Sequence, residues 1–500
     1  SRVFQLSAPK GEYRFILIDE MIRNNLSAFC REYAIVEHGL FRVMRDSELE
    51  LKDEYAEDLL KAIEKEIKKR PKAKVVCLEV EKVMSAEMLA RLCKQMSVPS
   101  GDVKVIDNAL DLTFLFDLVG SFSRSKLLYK DFKPKEIKYA SVFDAVKKRD
   151  FLVHLPFQSF KPVVDFIQEA ARDKHVLAIK MTLYRTSGDS IFIQALKEAA
   201  QNKKQVTVLV ELRARFEEEK NIIWAKELEN AGCHVIYGIP GLKIHSKIAL
   251  VVRKEQNKIR RYVHLSTGNY NEKTAGVYTD IGFFTSREDV TRDISDVFNV
   301  ITGYSVPPKW KKVVSAPYDL RKYFLELIDT EIQHHKKYGN GFIFAKMNSL
   351  ADVQVIEKLY EASQAGVPIK LLVRGMCCLI PQVPGLSETI EVRSILGRFL
   401  EYSRIYFFNN NLSPKVFLSS ADWMTRNFDR RIELLFPIEN DELKNHLKWI
   451  LQAYWDDTMK TRILRADHTY QRPTVVSRKS IAQDYLLEYY AKNPAFKEND

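Results

Sequence analysis

Long apolar runs are missing from this chain of 500 residues, and none approaches the ~18 to 20 residues that a membrane-crossing helix needs. The N-terminus, SRVFQLSAPKGEY, also lacks the apolar region of a signal peptide. A soluble or peripheral protein is therefore expected. Cysteine is scarce: six are scattered along the chain, with no C-x-x-C pair and no histidine spacing that resembles a zinc site. That excludes a disulfide scaffold and a zinc ribbon, and it fits reduced thiols in the cytoplasm. An initiator Met is absent and the first residues run straight into a folded-looking pattern, so the chain is expected to be a fragment preceded by further sequence. Negative charge is in deficit, with 78 Lys and Arg against 66 Asp and Glu, a net +12. The excess favours a polyanionic partner, whether nucleic acid, anionic membrane or polyphosphate. A solvated basic surface is the plainer reading, and it suits a segment such as LLKAIEKEIKKRPKAK.

The length exceeds what one core usually organises, so about three domains are expected. Residues 1–135 alternate helical stretches with the strand-like KAKVVCLEVEK and read as a small α+β unit with a scaffold or oligomerisation role. Over 136–310 the pattern becomes strand, helix, strand: DFLVHLP, FKPVVDFIQEAARD, HVLAIKMTLYR, SIFIQALKEAAQNKK, QVTVLVELRARF. Short apolar runs joined by amphipathic helices predict a mostly parallel sheet covered on both faces. Ligands of such sheets gather at the carboxyl ends of strands, where Arg185, Arg213 and Arg215 fall.

The unit then recurs over 311–500. FIFAKMNSLADVQVIEKLYEASQAGVPIKLLVRG repeats AIKMTLYRTSGDSIFIQALKEAAQNKKQVTVLVEL, with AKM set against IKM and IKLLVRG against VTVLVEL. RFLEYSRIYFF stands where GLKIHSKIALV stood, and KVFLSSADWMTRN where YVHLSTGNYNEKT stood. Two homologous α/β units suggest a pseudo-twofold arrangement with a cleft between them, followed by a helical C-terminal segment. A purely structural second copy is the alternative, and Arg374, Arg426, Arg430 and Arg431 weigh against it.

The chemistry concentrates between Gly238 and Asp280. His245 and Lys247 sit two apart in the apolar run IHSKIALVV, which reads as one strand and so puts both on one face. A second strand ends in His264 and the run LSTGN. The glycine-bearing turns IPGLK and STGN permit close backbone approach to a ligand. An imidazole beside an ammonium suits a phosphoryl group.

IPGLKIHSK, HLSTGNYNEKTAGVYTDIG, ELRARFEEEKNIIWAKELENAG, LLVRGMCCLIPQVPGLSE and VFLSSADWMTRNFDRRIE closely resemble polyphosphate kinase of the long bacterial type, over about Gly11 to Ala491. That family's N-terminal helical domain has no counterpart here. The resemblance implies a fold of two duplicated phospholipase D-like α/β domains behind the smaller α+β domain. It implies reversible transfer of the terminal phosphate of ATP onto inorganic polyphosphate, through a phosphohistidine at His245. Neutral imidazole, with an ordinary pKa near ~6.5, is a usable nucleophile for this. By the same resemblance His264 has a supporting role, orienting His245 or contacting phosphate, beside Lys247. Arg185 and Arg215 bind phosphoryl oxygens with Mg²⁺ held there through phosphate, and Tyr278, Arg374 and Tyr402 contact ATP. Asn269 and Lys273 are assigned supporting roles. A homo-oligomer, dimer or tetramer, follows as an expectation, as do a cytoplasmic location that allows contact with the inner membrane face, and no nucleic-acid partner.

Two departures stand out. Phospholipase D hydrolases place His-x-Lys-x4-Asp in both halves, whereas Val252 occupies the first Asp position and Tyr402 the second His position, which makes a phosphodiesterase the runner-up. Tyr402 also replaces a histidine of better-known polyphosphate kinases. A phenol with an ordinary pKa near ~10 is a poorer proton shuttle.

Overall fold

The structure, a computed structural model, describes residues 1–46, 59–120, 128–184, 190–214, 217–239, 241–303, 310–474 and 479–493. It divides into two compact units, one of Ser1–Lys52 and Lys61–Phe132, the other of Asp53–Leu60 and Lys133–Asp500.

The first unit is small and α+β, as its alternating pattern predicts. Strands β1 (Val3–Leu6) and β2 (Arg14–Leu17) form an antiparallel pair. A three-stranded sheet holds β3 (Phe41–Arg45), β4 (Val75–Glu81) and β5 (Val103–Ile106), with β3 antiparallel and β5 parallel to β4. The parallel step is crossed by the helix Ala86–Met96, whose start is set by Ser85: its hydroxyl oxygen accepts from the Met88 N–H at 3.1 Å. The core is modest, centred on Val75, Leu78, Val80 and Val98.

The second unit carries the duplication. Its first half contributes β6 (Phe151–Leu155), β7 (Val176–Leu183), β8 (Gln205–Val210), β9 (His234–Ile236), β10 (Lys243–Ile244), β11 (Lys247–Glu255), β12 (Lys258–Ser266) and β13 (Tyr278–Thr285). Its second half contributes β14 (Val314–Ala316), β15 (Ile343–Met347), β16 (Ile369–Val373), β17 (Ile390–Ile395), β18 (Leu400–Glu401), β19 (Ile405–Phe408), β20 (Lys415–Ser419), β21 (Arg431–Ile438), β22 (Thr461–Leu464) and β23 (Tyr470–Gln471). One sheet runs β13-β12-β11-β7-β8-β9 and the other β21-β20-β19-β15-β16-β17-β22-β23, with β6 on β13 and β14 on β21. Packing against helices such as Lys161–Arg172, Ile191–Gln201, Leu320–Tyr338 and Val353–Gln364 buries both cores.

The sheets are mixed, which corrects the expectation of a mostly parallel one. Apart from the two-residue strands described below, only β7-β8-β9 and β15-β16-β17 run parallel, and the β7-β8, β8-β9 and β15-β16 steps are each crossed by a helix. β11 and β12 are joined by a turn of two residues, Gln256 and Asn257, and such a hairpin can only be antiparallel. The registers also revise one internal match. Ala249 faces Met181, while Tyr406, its counterpart, faces Ala345, so the AKM and IKM triplets are offset by two residues. A slip of two leaves every side chain on its original face, so apolar pattern alone cannot detect it.

Each half also lends a strand to the other. β10 pairs parallel with β21, and β18 pairs parallel with β13. Both lent strands have only two residues and end one residue before the paired motif positions, His245 and Tyr402.

Among the described residues, no helix is long and apolar enough to cross a membrane. All six cysteines are free thiols.

Candidate active site

His245 sits in the gap between β10 and β11, where the chain leaves one sheet for the other. The N–H groups of His245 and Ser246 both donate to the carbonyl of Ile432 on β21, at 3.0 and 2.9 Å. His245 and Lys247 therefore do not belong to one continuous strand, because the segment before the histidine is claimed by the second half. Arg213 steadies the preceding turn by donating to the carbonyls of Ile239 and Leu242, and Gly241 there has φ of +71°.

His245 is 4% exposed. Its Nδ1 lies 3.0 Å from Oε2 and 2.8 Å from Oε1 of Glu433, a fully buried carboxyl on β21. The Ser420 hydroxyl donates to the same carboxyl. Tyr184 packs edge-on against the imidazole, with ring centroids 5.3 Å apart. A carboxylate on Nδ1 fixes the tautomer and leaves Nε2 with a free lone pair.

Positive charge surrounds this pair. Burial, with Lys247, Arg431, Arg404 and Lys243 acting in the same direction, holds the His245 pKa well below its ordinary value, so the ring is neutral. Burial lowers Lys247 to about 7, although Glu433 pulls the other way, and its ammonium donates to the His245 carbonyl. Glu433 is raised to about 7 by burial against the pull of Lys247 and Arg431. Cations from both halves thus converge on one imidazole.

The second half repeats the arrangement around Tyr402. The β10-β21 and β18-β13 registers make Glu433 the counterpart of Asp280, and Ser420 that of Thr267. Thr267 donates to Asp280 Oδ1 at 2.8 Å, as Ser420 does to Glu433. Arg404, in the place of Lys247, is held by Asp422 at 3.1 and 3.2 Å and by the Thr267 carbonyl at 3.0 Å. Its guanidinium lies 4.0 Å above the Tyr402 ring.

The three residues expected at ATP do come together. Tyr278 and Tyr402 have ring centroids 5.4 Å apart. Arg374 donates to the Glu401 carbonyl at 3.1 Å and to Asn348 Oδ1 at 3.2 Å, and Asn348 in turn donates to the Tyr402 carbonyl at 3.2 Å.

His264 is placed differently. It is 1% exposed, its Nδ1 lies 3.0 Å from the Tyr270 hydroxyl, and its ring packs on Phe284 at 4.4 Å. Burial lowers it to about 3. The group on His245 Nδ1 is Glu433, and His264 makes its hydrogen bond to Tyr270 instead. Its Nε2 lies over Gly282, where an added Cβ would approach within 2.5 Å. Gly282→Ala is accordingly expected to destabilise the protein by about 1–3 kcal/mol, read as a lowered thermal midpoint.

The glycine of STGN serves a similar packing need. A Cβ on Gly268 would fall 2.0 Å from Asp280 Oδ2, so the close approach it permits is to that carboxyl and not to a ligand. Asn269 keeps its Oδ1 buried without a hydrogen-bond partner, and Lys273 is exposed on the short helix Glu272–Ala275. Arg185 and Arg215 lie outside the described residues. Among the described residues, no three His, Cys, Asp or Glu side chains converge as a metal cage. The cation-rich donor set fits a Mg²⁺ carried on phosphate oxygens, not one held by protein ligands alone.

An internally duplicated α/β unit, with a histidine held at the junction of two halves that exchange strands, defines a class of two-lobed α/β proteins. Models of the polyphosphate kinase middle domain, C-terminal domain 1 and C-terminal domain 2 match residues 1–118, 141–307 and 313–483. The chain belongs to the polyphosphate kinase family. It is 50% identical to polyphosphate kinase of Bacillus anthracis over 476 residues, 94% of this chain and 68% of that protein. The Lactiplantibacillus plantarum polyphosphate kinase is 49% identical over 468 residues, 93% of this chain and 65% of that one. The chain thus spans about two thirds of the length of these relatives. The crystal structure of the Porphyromonas gingivalis polyphosphate kinase superposes with a TM-score of 0.86 at 29% identity, covering 98% of this chain and 73% of that one.

Proposed function

We propose that this protein transfers the terminal phosphoryl group of ATP reversibly to the end of an inorganic polyphosphate chain, through a phosphohistidine at His245. One observation carries the reading: His245 Nδ1 is engaged by a buried carboxyl from the other half, Glu433, which leaves Nε2 as the nucleophile. Nε2 attacks the γ-phosphorus in line, the N–P bond forms as the bond to the ADP oxygen breaks, and ADP leaves. The terminal oxygen of polyphosphate then attacks the same phosphorus, breaking the N–P bond and restoring the imidazole. The first leaving group is an anionic phosphate oxygen and the second a neutral imidazole that keeps its Nδ1–H, so neither step needs a strong proton donor at the position of Tyr402.

Lys247, with Arg431 and Arg404 behind it, supplies positive charge for the phosphoryl oxygens, a contribution worth ~10³ or more in rate in comparable transfers. Arg185 and Arg215 are assigned to those oxygens as well, and Mg²⁺ bound there would neutralise further charge. Tyr278, Arg374 and Tyr402 are assigned to ATP, His264 to packing beneath the site, and Asn269 and Lys273 to supporting contacts. The same reading puts the work in the cytoplasm and the protein in a homo-oligomer.

Incubation with γ-labelled ATP and Mg²⁺ tests the proposal: the label should appear on His245 as an acid-labile, base-stable phosphate. Active protein whose His245 stays unmodified would refute it. Tyr402→His should leave synthesis intact or raise it a few-fold, because an imidazole can take the ring's place beside Arg404 and Tyr278. Complete loss in a chain-elongation assay would mean that the phenol makes a required contact of its own.

A further inference from the structure

The β11-β12 hairpin begins two residues after His245 and ends at a basic groove. The groove has a volume of about 1410 Å³ and is lined around the Gln256-Asn257 turn, by the end of the helix Val142–Lys148 and by the start of the helix Glu288–Ile301. β11 has nine residues, Lys247 to Glu255, and at ~3.3 Å per residue its length sets the groove roughly 26 Å from the catalytic end. No residue assigned above to phosphoryl transfer or ATP lines it.

Its charge is organised. Glu255 gathers Lys147 at 3.0 Å, Arg253 at 3.0 Å and Arg260 at 3.2 Å, so three cations share one carboxylate there. Arg253 turns also to Asp173 at 2.7 Å. Lys148, Lys254, Lys258 and Arg261 line the same cavity and form no ion pair among the described residues. A concave surface with this surplus concentrates anions.

The lining selects among polyanions. It contains no Phe, Tyr or Trp, so it offers no platform on which nucleic-acid bases could stack. It is a groove and not a plane, which disfavours a bilayer. Its volume exceeds the ~300–1,000 Å³ of sites for single small molecules, which suits an extended chain. We propose that this groove is a second polyphosphate site, which holds a distal stretch of the chain while its end reacts at His245. A tethered chain end re-enters the catalytic site at a high effective concentration, so the groove would govern how long the product grows.

The inference rests on the function proposed above, and its test separates the two. The triple variant Lys254→Glu, Lys258→Glu, Arg261→Glu is compared with the unaltered chain in binding long-chain polyphosphate and inorganic triphosphate at two salt concentrations. Labelling of His245 by ATP and product length are measured alongside. Long-chain affinity should fall on the order of tenfold or more, with a shallower salt dependence. Triphosphate binding and His245 labelling should stay within about twofold, and products should shorten. The corresponding glutamine variant, which removes charge without reversing it, should fall between. Unchanged long-chain binding and product length would overturn the proposal. So would a selective loss of binding to anionic phosphatidylglycerol vesicles or single-stranded RNA with polyphosphate binding intact. Because binding needs no turnover, a groove that retains long-chain polyphosphate in an unlabelled protein would mean that the catalytic reading alone had failed.

Discussion

His245→Ala is expected to abolish both phosphoenzyme formation and chain elongation, a loss of at least ~10⁴-fold. The size follows from what is removed. Among the described groups around His245, the guanidinium groups and the hydrogen-bonded Glu433 carboxyl offer no nucleophile, and the Lys247 nitrogen is turned onto the His245 carbonyl. Alanine also strips Glu433 of its Nδ1 partner inside the protein, which costs about 1–3 kcal/mol of stability. Activity is therefore compared at a temperature where both proteins remain folded by circular dichroism. His245→Gln serves as the second variant, because its amide can still donate to Glu433 while offering no nucleophile. It should match alanine in lost labelling while recovering part of the stability. Elongation by either variant at the rate of the unaltered protein would remove His245 from the reaction.

The sequence makes the duplication visible, because IHSKIALVV and YSRIYFF, or HLSTGN and FLSSAD, keep the same order and spacing. It makes His245 visible too, as a nucleophile candidate next to Lys247 in an otherwise apolar run. What it hides is the partner. Glu433 is 188 residues from His245, and only the exchange of β10 and β18 between the halves brings the two together. A signal for it exists, though, in the alignment of the halves: TDIGFF and IELLFP each hold one acid in an apolar strand, at equivalent positions, and each acid is buried. A lone carboxylate in such a strand costs several kcal/mol unless a cation or hydrogen-bond donor faces it, so finding it twice points to two facing partners.

His264 illustrates the opposite limit. A histidine among apolar residues has the same sequence signature whether it meets substrate or core. Only the ring neighbours, Tyr270 and Phe284, set it in an aromatic pocket. Strand direction was hidden for a related reason. Apolar runs mark strands, but the two-residue link between β11 and β12, not the runs, decides that they are antiparallel.

Glu433→Gln is expected to slow phosphoenzyme formation by ~10²–10⁴-fold with little change in ATP binding. The amide is nearly isosteric, so the packing of β21 should survive, but glutamine can donate as well as accept. Where its NH₂ faces Nδ1, the imidazole proton is driven to Nε2 and the lone pair is lost from the attacking atom. The same geometry fixes the sign of the pH dependence. Burial raises Glu433 to about 7, so the carboxylate that holds Nδ1–H is present above that pH and lost below it. Phosphoenzyme formation should therefore rise with pH through neutrality. Lys247, lowered to about 7 chiefly by burial, loses its charge on the alkaline side and with it the attraction for phosphoryl oxygens. The two groups lie in one buried cluster and titrate as a pair, giving a bell-shaped profile with apparent limbs on either side of neutral pH. In Glu433→Gln the acidic limb should flatten while the alkaline limb remains. A rapid-quench pH series on both proteins measures this directly, and an acidic limb that persists unchanged in the variant would show that another group controls the imidazole.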